Sequence, residues 1–473
     1  MKLASQWVRA WLTLVALLMS SLVNAEPSEP VKGAVCVIRS GEQVVMVNEI
    51  ITKKLSLPGG GVAKGEDPKL AAQREAWEET GLVVSIKQEL ARIDNAIIYD
   101  CVSDSDIVAY QFDNDLGGNE LPIWFAPHYG VEVASAMLVD PSNVPAFMYR
   151  FPDQLAWLVS IIDTASDQPT LYVDNMVAAA PKWQQFELQW LVELQHGVIR
   201  LPEPIRAGVE SLFGMGLLLA HPLLGLVLFP ILFWRLGAKF SYQVVLAITI
   251  TSLLTLIAQQ GFALPRPQAY LPEIALSSSY GFGLPSLPIA LWACVGILLL
   301  NAYQRLAPNR WSAAFIGVLL WLMVAQFYAG ASFIVDGLSG ALLGSLCAWH
   351  LLRLQLKPDV DMDSLMLSKS VWLMLLAVSV TTTLFWPIPV FTYWLAVIVT
   401  ILGVVGWWRQ HTTITTNTML LGVIALLAAY QVMSLLAEGL SSSGIVNLTI
   451  ETLRYPLLIL LFTLLVQKSA KTS

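Results

Sequence analysis

The sequence predicts a chain in two parts: a soluble α+β domain with a mixed sheet around one charged helix, then an all-α polytopic membrane domain of about nine spans. Three observations predict it. First, 56% of the 473 residues are hydrophobic and only 13% are charged. That is about half the charged share of an ordinary soluble domain, so much of the chain must sit in an apolar phase. Second, the charge is uneven: most carboxylates precede residue 211 and long apolar runs follow. Third, the early part mixes short β-branched runs, turn residues and helical stretches, the pattern of a mixed domain. A net charge of −7 without a basic patch gives no sign of nucleic-acid binding.

Residues 1–25 read MKLASQWVRAWLTLVALLMSSLVNA. Lys2 and Arg9 form a positive start, 10–23 is apolar, and Val23-Asn24-Ala25 is a small-residue cleavage site. This is a secretory signal pattern. An uncleaved anchor is the alternative, although the run is short of the about 20 residues a span needs. Strands are expected at 35–38, 44–47, 83–86, 96–99 and 107–112, and a closing helix at 151–162, within a domain covering 30–163. Residues 164–182 read as a polar linker. Residues 183–206 place Trp183, Phe186, Trp190, Leu191 and Leu194 at helical spacing, an amphipathic helix for a membrane surface.

The apolar spans are expected near 212–234, 243–263, 286–304, 311–328, 333–352, 371–390, 391–408, 419–437 and 452–467. With the soluble domain outside, the inner loops would carry Arg235, Lys239, Arg305, Arg310, Arg353, Lys357, Lys369, Arg409, Lys468 and Lys471. The outer loops would carry only Arg266 and Arg454. This positive-inside bias agrees with the signal pattern and predicts an extracytoplasmic soluble domain. Cys294 and Cys347 fall in apolar runs as packing residues; Cys36 and Cys101 can pair if their domain faces an oxidising compartment.

The densest chemistry lies in PGGGVAKGEDPKLAAQREAWEETGL, residues 58–82. Asp67 before Pro68 starts a helix and Gly81 stops it. Glu75, Glu78 and Glu79, at i, i+3 and i+4, share one face within an arc of roughly 100°. Clustered carboxylates repel one another unless cations neutralise them. Hard oxygen ligands in this number suit Mg²⁺ or Mn²⁺, which also bind phosphate oxygens. Gly59-Gly60-Gly61 lets backbone approach a ligand closely. Taken alone, such a cluster can equally be a solvated charged helix.

The wider spacing decides between them. Gly60, five residues, Glu66, seven residues, then Arg74-Glu75-Ala76-Trp77-Glu78-Glu79-Thr80-Gly81-Leu82 resembles the Nudix box at every fixed position. The resemblance implies a Nudix fold over 30–163 and hydrolysis of a diphosphate linked to another group, with water attacking phosphorus. It further implies that Glu75, Glu78 and Glu79 hold Mg²⁺ or Mn²⁺, that Glu78 or Glu79 serves the attacking water, and that Gly60, Glu66, Arg74 and Gly81 shape and brace the motif. Substrate choice lies outside the box. Tyr99, Trp124, Phe125 and His128 are candidates for stacking on a base or sugar, though packing is the commoner role. Asp113 and Asp115 are weak candidates for a further metal ligand.

The helical part carries a second resemblance. ALPRP at 263–267, YGFGLPSLP at 280–288 and YAGASFIVDGLSG at 328–340 are similar to the three motifs of the type 2 phosphatidic acid phosphatase superfamily, over residues 207–355. The chemistry-bearing positions depart from that pattern. Gln259 stands for the first Lys, Leu287-Pro288 for Gly-His after Ser286, Gln326 for Arg, and Ser332 for the nucleophilic His, while Arg266 and Asp336 remain. Both imidazoles are missing, and a lone Ser without a base is a poor nucleophile. Four further helices, 371–467, lie outside that family's core.

The expectation is therefore a Nudix hydrolase on the outer face of a bacterial inner membrane, joined to a catalytically degenerate phosphatase-like domain. Its substrates would be nucleotide-linked or lipid-linked diphosphates, its other partners membrane lipids. The rival reading is a lipid phosphatase acting on undecaprenyl diphosphate or phosphatidic acid-type lipids. A third is a membrane receptor that uses the Nudix fold only to bind.

Overall fold

In the computed structural model the strands Gly33–Val37 (β1) and Ala96–Ser103 (β7) run parallel at the centre of a mixed sheet. Gly59–Gly61 (β5) and Val84–Ile93 (β6) flank them antiparallel. The structure describes residues 31–358, 361–407 and 412–469; the signal-like stretch 1–25 and Arg409, His411 and Lys471 lie outside these. A second, antiparallel sheet is built on Gln43–Glu49 (β3), which pairs with Arg39–Ser40 (β2), Leu55–Ser56 (β4) and Val133–Val139 (β10), with Asn119–Leu121 (β9) beyond β10.

Strand side chains alternate between two faces, and here each face has its own helix. Ala34, Cys36, Val45, Val47, Ile97, Tyr99, Ala136 and Leu138 share one core with Pro68–Thr80 (α1). Val37, Val44, Met46, Ile98, Met137 and Val139 share the other with Pro152–Ile161 (α2). Ala71, Ala72 and Ala76 of α1 are fully buried, and such small residues let the helix lie close on the sheet. Cys36 and Cys101 form a disulfide with Cα atoms 5.5 Å apart, inside the range a bridge allows.

The stretch 164–182 is not a free linker. Within it Thr170–Val173 (β11) pairs in parallel with Ile107–Tyr110 (β8). Buried Gln168 is tied to Ser103 N and Cys101 O at 2.6 and 3.0 Å. Backbone hydrogen bonding overrides a polar composition here.

A mostly helical region follows: Lys182–Ile199 (α3), Glu203–Leu218 (α4), Pro222–Phe262 (α5), Leu287–Ala302 (α6), Arg310–Tyr328 (α7), Ile334–Gln355 (α8), Met362–Leu367 (α9), Lys369–Phe385 (α10), Pro389–Val404 (α11), Thr416–Gly439 (α12) and Gly444–Ser469 (α13). Among the described residues, six helices are long and apolar enough to cross a membrane: α5, α7, α8, α11 with the turn that extends it, α12 and α13. The helices α6 and α10 are shorter and apolar. The expected span at 212–234 is interrupted: α4 ends inside it at Leu218, His221 caps α5 through Nδ1 to Leu223 N at 3.3 Å, and Pro222 starts the new helix. The expected spans 212–234 and 243–263 instead share α5, broken at Gly237, which has φ 78°. The free cysteines Cys294 and Cys347 are buried, as expected of packing residues.

The helix α3 leaves two of its expected surface aromatics outward and packs its other face on the protein. Phe186 and Trp190 are exposed, and Gln184, Glu187, Leu188, Leu191, Gln195 and Val198 are turned inward. Hydrogen bonds choose that face. Gln195 Nε2 donates to Ile274 O and Tyr328 O at 3.0 and 2.7 Å. The Glu187 carboxylate accepts the Ile334 and Val335 amides at 2.5 and 3.3 Å, capping the N-terminus of α8. Arg454 also departs from its expected outer loop: it is buried within α13, paired with Glu451 at 2.7 Å and set over the Tyr430 ring.

Candidate active site

The site is assembled by α1, the strand β5 that leads into it, and the turn 126–133. Asp67 caps α1 by accepting from Lys69 N at 2.9 Å, and Gly81 closes it in the left-handed conformation, φ 75°, with its amide on Trp77 O. A Cβ at Gly81 would also stand 2.4 Å from the Phe125 ring. Steric and backbone demands both require glycine there.

Gly60 is required for a different reason. A Cβ on it would lie 2.4 Å from both Cδ and Oε1 of Glu75. The missing side chain is the space in which the Glu75 carboxylate sits. Arg74 is the brace. It donates to Glu66 Oε1 at 3.0 Å, Glu75 Oε1 at 2.8 Å, Glu78 Oε2 at 2.9 Å and Gly61 O at 3.1 Å. Glu66 also accepts from Ala63 N at 2.8 Å. One guanidinium thus joins the loop to two carboxylates of the helix. The Arg74 bond, followed by the Ala63 amide, holds the Glu66 carboxyl below the usual range.

The three box carboxylates have different surroundings. Glu79 is buried and accepts from Gly59 N at 2.9 Å; burial lifts its carboxyl well above the ordinary range, with the Gly59 amide opposing. Burial also raises Glu75, with Arg74 opposing. Glu78 is half-buried and faces His128, whose Nε2 lies 3.7 Å from Glu78 Oε2. Glu75, Glu78 and His128 each offer a ligand atom, all within 4.8 Å of one another. Two carboxylate oxygens and an imidazole nitrogen at that spacing fit a divalent cation. Glu79 uses Oε2 to accept the Gly59 amide of the glycine strand.

His128 is the residue that sequence reasoning placed elsewhere, as a stacking or packing group. Its amide donates to Glu78 O at 2.7 Å, and no local sequence signal announces a partner so distant along the chain. Among the other candidates, Tyr99 is buried, and Trp124 packs on Tyr270 of the helical region with ring centroids 5.1 Å apart. Phe125 is exposed beside Gly81. Asp113 accepts from Asn119 at 2.9 Å.

The residues of the second motif set also converge. Gln259 Nε2 donates to Pro285 O at 2.7 Å, and Ser286 Oγ to Gln326 Oε1 at 2.9 Å. Ser286 N donates to Asp336 O at 2.8 Å. Asp336 Oδ2 accepts from Phe333 N at 2.9 Å and from Ser332 Oγ at 3.4 Å. Arg266 is held by Tyr280 O and Ala331 O at 2.9 and 2.5 Å. Pro288 lies in the first turn of α6. Among the described residues, no imidazole hydrogen-bonds to any of these side chains; His221, the one histidine near a span start, is an exposed helix cap.

A cradle of glycine strand, carboxylate helix and bracing arginine defines the class. Residues 29–184 match the family model of the NUDIX domain, and the N-terminal part of the chain is a Nudix domain. Two curated proteins are similar to it: an RNA pyrophosphohydrolase of Roseobacter denitrificans, 48% identical over 44 residues, and Nudix hydrolase 25 of Arabidopsis thaliana, 35% identical over 78 residues. These alignments cover 9% and 16% of this chain and 28% and 43% of the relatives. An ADP-ribose pyrophosphatase structure from Streptococcus suis aligns at 16% identity and TM-score 0.21, covering 30% of this chain and 97% of its own.

Proposed function

We propose that the chain is a membrane-anchored Nudix hydrolase that cleaves a diphosphate joined to another group. The observation that carries this reading is the convergence of the Glu75 and Glu78 carboxylates beside His128, under a glycine strand and braced by Arg74. Glu75, Glu78 and Glu79 would hold Mg²⁺ or Mn²⁺, which when bound neutralises charge developing on the phosphoryl oxygens. The chain's own groups do the rest. Glu78, half-buried, is placed to orient an attacking water and accept its proton. Glu79, turned into the fold, ties α1 to the glycine strand and sets the depth of the cradle. Arg74 keeps the Glu75 and Glu78 carboxylates close despite their repulsion.

Three observations support placing the domain on the outer face of a bacterial inner membrane: the signal-like start, the basic bias of the opposite loops, and the Cys36–Cys101 disulfide. The helical region serves as the anchor and a lipid-facing platform. Its Gln259, Arg266, Ser286, Gln326, Ser332 and Asp336 cluster keeps the frame of a phosphatase-like site without the imidazoles such chemistry uses. Nucleotide-linked and lipid-linked diphosphates are the substrate classes, and the printed name of one relative, an RNA pyrophosphohydrolase, adds RNA to the screen.

The test is Glu78→Gln and Glu79→Gln in the full chain, assayed for phosphate-bond cleavage with Mg²⁺ or Mn²⁺. Turnover is expected to fall on the order of 10²-fold or more in each. Activity unchanged in both single variants and the double variant rules the assignment out.

A further inference from the structure

We infer that His128 supplies a nitrogen ligand to the divalent cation of this site, and that Phe282 of the helical region positions it. The inference rests on the hydrolase reading above and adds to it the class of metal preferred and a dependence on the second half of the chain.

The ligand geometry comes first. Ions bound at about 2.0–2.2 Å hold adjacent ligand atoms about 3 Å apart and opposite ones about 4.3 Å apart. The Glu75, Glu78 and His128 atoms already lie within 4.8 Å of one another, with Nε2 at 3.7 Å from Glu78 Oε2. Closing the Nε2–Oε2 pair from 3.7 Å to about 3 Å brings it to adjacent-ligand spacing. The other ring nitrogen supplies a second observation. Nδ1 is buried, makes no hydrogen bond, and lies 3.6 Å from Glu132 Oε2. Nδ1 thus faces the Glu132 carboxylate while Nε2 faces Glu78, the orientation in which an outer carboxylate can steady a metal-binding histidine.

The imidazole is held from outside the domain. His128 O accepts three amides, from Val131, Glu132 and Val133 at 3.0, 3.0 and 3.1 Å, winding the turn tightly and putting Glu132 under the ring. The next residues face the helical region. The Tyr129 and Phe282 rings meet edge to face at 6.0 Å, and Phe282 packs against the core of the Nudix domain. Gly130, φ 72°, and Gly281, φ 70°, abut so closely that a Cβ on Gly130 would lie 3.0 Å from Gly281 Cα. One side of the turn is fixed by Glu78 O and the other by the 281–282 loop.

Imidazole favours transition metals over Mg²⁺, whereas carboxylates alone do not discriminate so strongly. The experiment uses the full chain in detergent, loaded with Mn²⁺ and followed by electron paramagnetic resonance, with Co²⁺ and Mg²⁺ as competitors. The wild type is expected to show ¹⁴N modulation of the Mn²⁺ signal. His128→Ala should abolish it and weaken Mn²⁺ and Co²⁺ binding about tenfold or more, with Mg²⁺ affinity moved by less than about threefold. Phe282→Ala should weaken the modulation and Mn²⁺ affinity, and Phe282→Leu, which refills the volume, should restore both.

If Glu75→Gln and Glu78→Gln remove Mn²⁺ binding while the wild type lacks ¹⁴N modulation, His128 is not a ligand and the hydrolase reading survives. If those two variants leave Mn²⁺ binding intact, both readings fall. Modulation and affinity unchanged in Phe282→Ala overturn the positioning role alone.

Discussion

Gly60→Ala tests the cradle at its tightest point. The added Cβ would stand 2.4 Å from Cδ and Oε1 of Glu75 and 2.7 Å from Oε2, where ordinary contact begins near 3.4 Å. The carboxyl group must retreat by about 1 Å. The strand itself has no reason to move, because Gly60 pairs with Ala34 in extended conformation and needs no left-handed backbone. Metal sites tolerate ligand displacements of about 0.2 Å, and misplacement by 1 Å at a reacting centre costs on the order of 10²-fold. Mn²⁺ affinity and turnover are therefore expected to fall by about that factor, while the melting temperature without metal stays near that of the wild type. Gly61→Ala is the matched control: its Cβ would meet only Lys32 O, at 3.9 Å, and should behave as wild type. Wild-type Mn²⁺ affinity in Gly60→Ala would refute the reasoning, as would equal losses at both positions.

Three further outcomes are expected. Arg74 holds Glu66 below the usual carboxylate range, so its ionisation stabilises the fold above the ordinary value near 4.3 and ceases to as pH falls through the lowered one. The melting-temperature gap between wild type and Glu66→Gln should accordingly be present at pH 7 and close in acid; a pH-independent gap contradicts this. The Cys36–Cys101 bridge spans 65 residues, worth about 4 kcal/mol by chain-entropy reasoning, and melting of the Nudix domain should drop sharply once both thiols are shown to be free. Finally, full-length protein with Glu75, Glu78 and Glu79 all changed to Gln should release no phosphate from phosphatidic acid, phosphatidylglycerol phosphate or undecaprenyl diphosphate without added metal. Release that disappears on Arg266→Ala or Asp336→Asn would restore phosphatase chemistry to the helical region.

What was legible in the sequence was local. The box reads directly because its spacing is a helix face plus one loop, and the structure closes Glu66, Arg74 and Glu75 upon one another without distant help. His128 was not legible as a metal neighbour because a turn returns it to α1 from far along the chain. The strand β10, VASAMLV, carries Ala, Ser and Met in place of a β-branched run, yet lies between β3 and β9 because burial outweighs propensity. In α3 the aromatic spacing marked the outward face of Phe186 and Trp190, but no local signal announced that Glu187 and Gln195 are buried on the other as hydrogen-bond partners. The break before α5 was written in Pro222, which fits the first turn of a new helix better than the interior of an old one.

The contacts that join the two halves bear on how the Nudix domain can be handled in the laboratory. Tyr110 Oη donates to Ala269 O at 2.5 Å, Met176 N to Tyr270 O at 2.9 Å, and the Trp124 ring rests on Tyr270. A soluble fragment cut near residue 184 would leave this aromatic seam bare, with a polar hydroxyl and an amide stripped of their acceptors. Such a fragment would tend to stick to itself through the seam, and polar replacements at Trp124 and Tyr110 are the natural first step toward keeping it in solution.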